Sequence, residues 1–495
     1  MSLKIQKYYY IIFILIITLG IGLRLIGLNK GIWFDEYYSI ARVSNDNFFE
    51  SLRNDNQPPT YFMILKLWST FSKQEAFLRI PSIIFGVISI FLIMIWIKPI
   101  SIDASLLAGF MFSTMPILIR YSQEIRGYSL LILSTVFSFY CSYKIVTKEN
   151  SYWYFLLAIS LTIAATTHLI GIMVLPTIGI YLLINFMQWE KRIQWLKVSL
   201  AFLFPTIIFF AIYFFFFNNL YGQNWWMPPF SFRLFRSQFK YVLGIEKLLF
   251  PTSVFEGINI KLALLFEFMY KSSILITIFV ILFFGVWRKS WSLLLAALIY
   301  WLQIILVSVF FYPIFWYRTI LIGVIPLIGY LALHSTSIKN NIFRIIATLG
   351  IFIIFIILAV GWFFIEARIP NEPWRQAAHY LETETKPNDI IIFYPNNAMG
   401  PIRYYFRSLS DENVIAVDLD VDIDEFISEL SCKMNLFDNK DQQVTLHLVV
   451  RESLNVQKEK EKYESLKNYL ELVSGRNTLV QDYGIIKFYH YENIE

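Results

Sequence analysis

Pro58-Pro59-Thr60-Tyr61-Phe62-Met63-Ile64-Leu65-Lys66-Leu67-Trp68-Ser69-Thr70-Phe71-Ser72 decides the topology of this chain. The stretch is apolar but short, and it carries Lys66 near its middle. Crossing a hydrocarbon core of about 30 Å takes about 20 apolar residues of helix. Residues 58–72 are therefore expected to form an interfacial or re-entrant helix rather than a span. The double proline sets an extended lead-in to it.

Outward from this stretch, apolar runs long enough to cross are expected at 8–28, 79–98, 103–120, 126–146, 152–168, 169–187, 197–217, 271–287, 290–312, 316–335 and 342–364. With 58–72 not crossing, that makes about 11 transmembrane helices, the N-terminus cytoplasmic and the C-terminus extracytoplasmic. The short cytoplasmic connections then hold Lys98, Lys144, Lys148, Lys191, Arg192, Lys197, Arg288, Lys289, Lys339 and Arg344. That is the bias of the positive-inside rule; a crossing at 58–72 would turn the cluster outward. The first run is longer than a signal-peptide core, and no Ala-x-Ala pattern follows it, so it reads as a retained helix.

Composition agrees. Of 495 residues 57% are hydrophobic and 16% charged, against about 45–50% and about 25% in a soluble domain. The net charge of +6 forms no basic stripe, which excludes nucleic acid as a partner. Cys141 and Cys432 lie far apart and lack metal-ligand spacing.

The domain reading is 1–365 for a transmembrane region and 366–495 for an extracytoplasmic α/β domain. The first contains an extracytoplasmic loop at 29–78 and a long loop at 218–270. In the tail, helices are expected at 374–383, 401–407, 423–430 and 457–472. Strands are expected at 389–394, 413–417, 444–451 and 479–491. No glycine-rich phosphate loop interrupts them.

This topology puts Asp35-Glu36, the Gln123-Glu124-Ile125-Arg126 turn, His168 and Arg318 on one side. A carboxylate at the membrane rim among Trp33, Phe34, Tyr37 and Tyr38 suits a general base toward an acceptor hydroxyl. Two loop acids at a helix start equally suit the dipole there. The series Trp33-x-Asp35-Glu36-x-x-Ser39, Pro58-Pro59-x-Tyr61, Glu75-x-x-x-Arg79 and Ser122-Gln123-Glu124-x-Arg126-x-Tyr128 resembles bacterial GT-C membrane glycosyltransferases. The likeness is to the protein O-mannosyltransferases and lipid A aminoarabinose transferases. It covers about residues 20–180, with a looser match at Phe315-Trp316-Tyr317-Arg318 and in the tail.

The resemblance implies a polyprenyl-phosphate-linked sugar donor and an inverting transfer outside the cytoplasm to a lipid, glycan or protein acceptor. It puts the base at Asp35, with Glu36 beside it. Arg126 and Arg318 become holders of the donor phosphate; each also reads as a headgroup anchor, Arg126 paired with Glu124. Glu124, His168, Tyr61 and Gln57 complete the candidate set. His168 reads either as a donor to sugar or metal or as a helix cap. Gln57 stands where many relatives have histidine, which puts a metal or phosphate role at that position in doubt; a divalent metal otherwise stays open. Arg79 and Arg120 read as anchors, and Trp225 and Trp226 as interfacial belt. A transporter or flippase of a polyprenyl-linked sugar is the alternative, though no inverted repeat supports it.

Overall fold

A computed structural model describes residues 3–491, apart from 54–56, 149, 187–191, 217–226, 245–271, most of 273–289, 366, 368–371, 419–422, 438–444, 453–459 and 475–476. It divides into two compact units, Met1–Asn29 with Ala41–Ile369, and Lys30–Ile40 with Pro370–Glu495.

The first unit is helical. Seven described helices are long and apolar enough to cross a membrane: Lys7–Leu25, Glu75–Ile97, Tyr128–Thr147, Gln194–Phe215, Trp291–Phe310, Tyr317–Thr336 and Asn341–Phe363. The bent pair Ile102–Thr114 and Pro116–Ser122 makes an eighth if taken as one span. The expected spans at 152–168 and 169–187 correspond to shorter apolar helices, Ser151–Thr167 and Leu169–Asn185. The one at 271–287 lies largely outside the described residues. Among the described residues, seven or eight helices thus meet the length and apolarity of a span, and the count of eleven is not confirmed. Ile14, Leu15, Phe204, Phe210, Phe214 and Phe310 stand exposed on them, as side chains facing lipid would. Between helices, Ser138 Oγ and Ser160 Oγ meet at 2.8 Å, a polar contact of the kind that joins spans.

The deciding stretch forms the helix Thr60–Trp68, 9 residues long. At 1.5 Å per residue it reaches about 14 Å, under half the hydrocarbon core. Tyr61, Phe62 and Leu65 are buried, while Met63 and Leu67 face out. Lys66 does not enter the core: its Nζ donates to the Asn45 carbonyl at 3.3 Å and lies 4.6 Å from the Phe48 ring centre.

The 62° bend between Ile102–Thr114 and Pro116–Ser122 has a local cause. Pro116 has no N–H to offer the carbonyl of Phe112, and it drives Met115 into an extended conformation. Arg24, fully buried, answers the break. Its guanidinium donates to the carbonyls of Phe112 at 3.3 Å and Ser113 at 3.2 Å, and its Nε reaches Ser122 Oγ at 3.1 Å. A side chain at Gly86 would collide with Ser122, so glycine there allows the close approach. The bend delivers residues 123–127 as a turn between helix ends.

The second unit is a five-stranded sheet in the order β2-β1-β3-β5-β4, with β1 Ile390–Tyr394, β2 Val414–Ala416, β3 Leu446–Arg451, β4 Asn477–Asp482 and β5 Ile486–Tyr491. β2, β1 and β3 run parallel, while β5 is antiparallel to both β3 and β4. All five residues of β1 are buried, as a parallel strand covered on both faces requires. Ile390, Ile392 and Tyr394 pack with Phe426, Leu430, Leu466 and Leu470 of two helices. Ile391 and Phe393 pack with Trp374, Ala377, Leu381 and Ile402 on the other face.

The single strand expected at 479–491 is instead a hairpin of β4 and β5. Gly484, at φ +81°, supplies its turn, and Asp482 Oδ1 accepts from the Gly484 N–H at 2.7 Å.

Candidate functional site

In the helical unit, four separate stretches meet at the Ser122–Tyr128 turn. The turn is fastened to the first helix by Gln123, whose amide donates to the carbonyls of Arg24 at 2.9 Å and Ile26 at 2.6 Å. These carbonyls lie at that helix's C-terminal end, where backbone acceptors lack helical partners. Gly127 admits the next two stretches: a Cβ there would lie 2.9 Å from the Thr167 methyl and 3.3 Å from Tyr61 Cβ.

Arg126 and Glu124 are both buried. With its amide oxygen turned to the surrounding donors, Gln57 accepts from Arg126 Nη2 at 2.9 Å and Nε at 3.3 Å. Gln57 therefore orients Arg126, a role needing neither metal nor imidazole. Glu124 pairs with Arg120 at 3.0 Å, one helical turn away. Arg120 also donates to the Tyr241 hydroxyl. Its guanidinium lies about equally close to the rings of Tyr241 and Tyr317, at 6.0 and 5.8 Å. Tyr241 ends the helix Phe232–Val242, within the long loop, and that helix is tied to the 316–318 motif where Gln238 accepts from the Tyr317 N–H at 2.9 Å. Residues 217–226, including Trp225 and Trp226, lie outside the described residues.

His168 sits between the helix Ser151–Thr167 and the turn Leu169–Met173. Its Nδ1 accepts from the Ile170 N–H at 3.2 Å, so the neutral ring carries its proton on Nε2. The imidazole is thus a cap. Arg126 and Arg318 both lie close enough to act on this ring electrostatically, which brings the two arginines to one locus. Tyr61 is less available: buried, its hydroxyl is 3.0 Å from Ser82 Oγ. Arg79 anchors, donating to the Leu28 carbonyl at 2.6 Å.

Asp35 and Glu36 belong to the second unit, in the first turn of the helix Phe34–Ser44. The structure gives the two carboxylates different surroundings. Glu36 is buried, and its carboxylate turns back to accept from the Trp33 N–H at 3.3 Å, half of a capping box. Asp35 is only partly buried. The stretch leading into them is held by tail side chains. The Tyr405 hydroxyl accepts from the Ile32 N–H at 2.8 Å and Glu372 from the Phe34 N–H at 2.9 Å. Among the described residues no group of three or more His, Cys, Asp or Glu is placed to hold a metal ion.

Three features escaped the reading of the sequence. Arg120 pairs with Glu124 and reaches Tyr241, and its spacing of four from Glu124 was the available signal. Tyr241 carried none. The tail residues that hold residues 32–34 could not be found from spacing, being more than 330 positions away.

Residues 56–213 match the family model described as dolichyl-phosphate-mannose-protein mannosyltransferase. Two solved structures of ArnT from Cupriavidus metallidurans, one in the apo state and one bound to undecaprenyl phosphate, share the fold. Each aligns with a TM-score of 0.53 at 11% identity, covering 96% of this chain and 97% of the other. No curated protein sequence matches the chain. The resemblance read from the motifs is borne out, by fold over nearly the whole chain and by the family model over residues 56–213.

Proposed function

Starting from a chain of the GT-C fold that is mannosyltransferase- and aminoarabinose-transferase-like, we propose that it is an integral-membrane glycosyltransferase of the cell membrane. It transfers a sugar from a polyprenyl-phosphate donor to an acceptor hydroxyl on the extracytoplasmic side, where the tail domain also lies. The observation that carries this reading is the arginine cluster at the Ser122–Tyr128 turn: Arg120 pairs with Glu124, Arg126 is held by Gln57, and Arg318 acts with Arg126 on His168. Guanidinium forks suit an anionic phosphate. One of the ArnT structures holds undecaprenyl phosphate, which agrees with that chemistry.

The carbon–oxygen bond to phosphate is already activated, so no nucleotide-binding fold is required. Asp35 takes the proton of the acceptor hydroxyl. The acceptor oxygen bonds to the anomeric carbon as the bond to the phosphate oxygen breaks, with inversion. The polyprenyl phosphate leaves carrying the electron pair, and Arg126 and Arg318 stabilise its charge. His168, neutral, donates to the sugar or the phosphate.

The test is Asp35→Asn, assayed by release of undecaprenyl phosphate from undecaprenyl-phosphate mannose and from undecaprenyl-phosphate aminoarabinose. A loss of about 10²–10⁴-fold is expected for removal of a general base. Wild-type turnover in a correctly inserted variant would sink the assignment.

A further inference from the structure

We propose that the C-terminal α/β domain is a positioning element for Asp35, an inference that rests on the base assignment above. A helix beginning at Phe34 exposes its first N–H groups, and Trp33 at its N-cap has no side-chain oxygen to satisfy them. Side chains satisfy three consecutive amides at this start: the first helical residue, the N-cap and the residue before it. Ile32 donates to Tyr405, Trp33 to Glu36 and Phe34 to Glu372. Two of the three acceptors come from the tail.

Glu372 is itself fixed. Its Oε2 also accepts from the Trp374 indole at 2.6 Å, and its Oε1 from Arg451 at 2.8 Å. Arg451 then lies 3.9 Å from the centre of the Phe34 ring, whose face suits a cation. On the other side of Asp35, the Tyr37 ring rests on Gly400, where a Cβ would come within 2.5 Å of it. Residues 34 and 37 are thus both gripped by the tail, and the partly exposed carboxylate between them inherits the alignment. A base must be held to a fraction of an ångström, because a misplacement of about 1 Å can cost about 10²-fold in rate. This accounts for a folded tail on a membrane glycosyltransferase without giving the tail a substrate of its own.

Tyr405→Phe removes one hydrogen bond and keeps the ring; Glu372→Gln removes the charge that Phe34 and Arg451 share. In full-length protein with undecaprenyl-phosphate mannose, we expect kcat to fall about tenfold in the first and up to about 10²-fold in the second, with donor KM unchanged. Amide exchange at Ile32 and Phe34 should accelerate at least about tenfold while the rest of the tail keeps its protection. On an Asp35→Asn background neither substitution should reduce turnover further, since both act through that carboxylate.

Wild-type kcat in both variants despite faster exchange overturns the positioning role. So does a loss repeated in full on the Asp35→Asn background, which would mark a general structural effect. Turnover surviving in Asp35→Asn alone overturns the base assignment, and that arm tells the two failures apart.

Discussion

At the helix ends of the first unit, Arg120 pairs with Glu124, Arg126 is held by Gln57, and Arg126 and Arg318 both act on His168. At residues 30–40 of the second unit the sign is reversed. There Glu36 and Glu372 accept from backbone N–H groups beside Asp35, with Arg451 closing the set. On the proposed function, the first region receives an anion that comes and goes. The second holds its own anions steady, Glu36 and Glu372 being consumed by hydrogen bonds and Asp35 left partly exposed. Motif reading pointed to both regions but missed the tail side chains that hold residues 32–34, because a carbonyl or amide partner leaves no trace in residue type.

The sharpest break of that comparison lies within the second region. Asp35→Asn should cost about 10²–10⁴-fold in turnover, whereas Glu36→Gln should mainly cost helix-start stability, about 1 kcal/mol, read as a lower midpoint of thermal unfolding. Equal catalytic losses would erase the division of labour. Next in size are the cations. Arg126→Ala and Arg318→Ala should each weaken binding of undecaprenyl phosphate by roughly 10- to 150-fold, about 1.5–3 kcal/mol per charge-assisted contact. Equilibrium binding of the labelled lipid phosphate would show it, and unchanged affinity in both would remove the phosphate site from this turn.

Gly484→Ala probes the tail alone. A Cβ there meets nothing within 4 Å, so only the strain of φ +81° remains, about 1–2 kcal/mol of lost stability with turnover intact.

Particular residues show how far reading can reach. The shortness of 58–72 and Lys66 within it foretold a helix that cannot cross, and the nine-residue Thr60–Trp68 is one. The hairpin at 477–491 was missed although Asp482-Tyr483-Gly484 carried turn chemistry. Arg24 gave no hint of its role, since its partners are main-chain carbonyls laid open by Pro116 some 90 positions away.

What the residues determined by themselves is local in origin: helix length against bilayer thickness, charge bias along the loops, alternation of apolar strands and polar helices, and an ordered motif series. These follow from composition and periodicity over short windows. Only the tertiary structure decided which carboxylate caps a helix and which stands partly open, and which arginine is pinned by Gln57. It alone brought a tail beginning near residue 370 to hold residues 32–34. Those outcomes depend on hydrogen bonds and ion pairs between segments far apart in sequence, and chain spacing has no say in them.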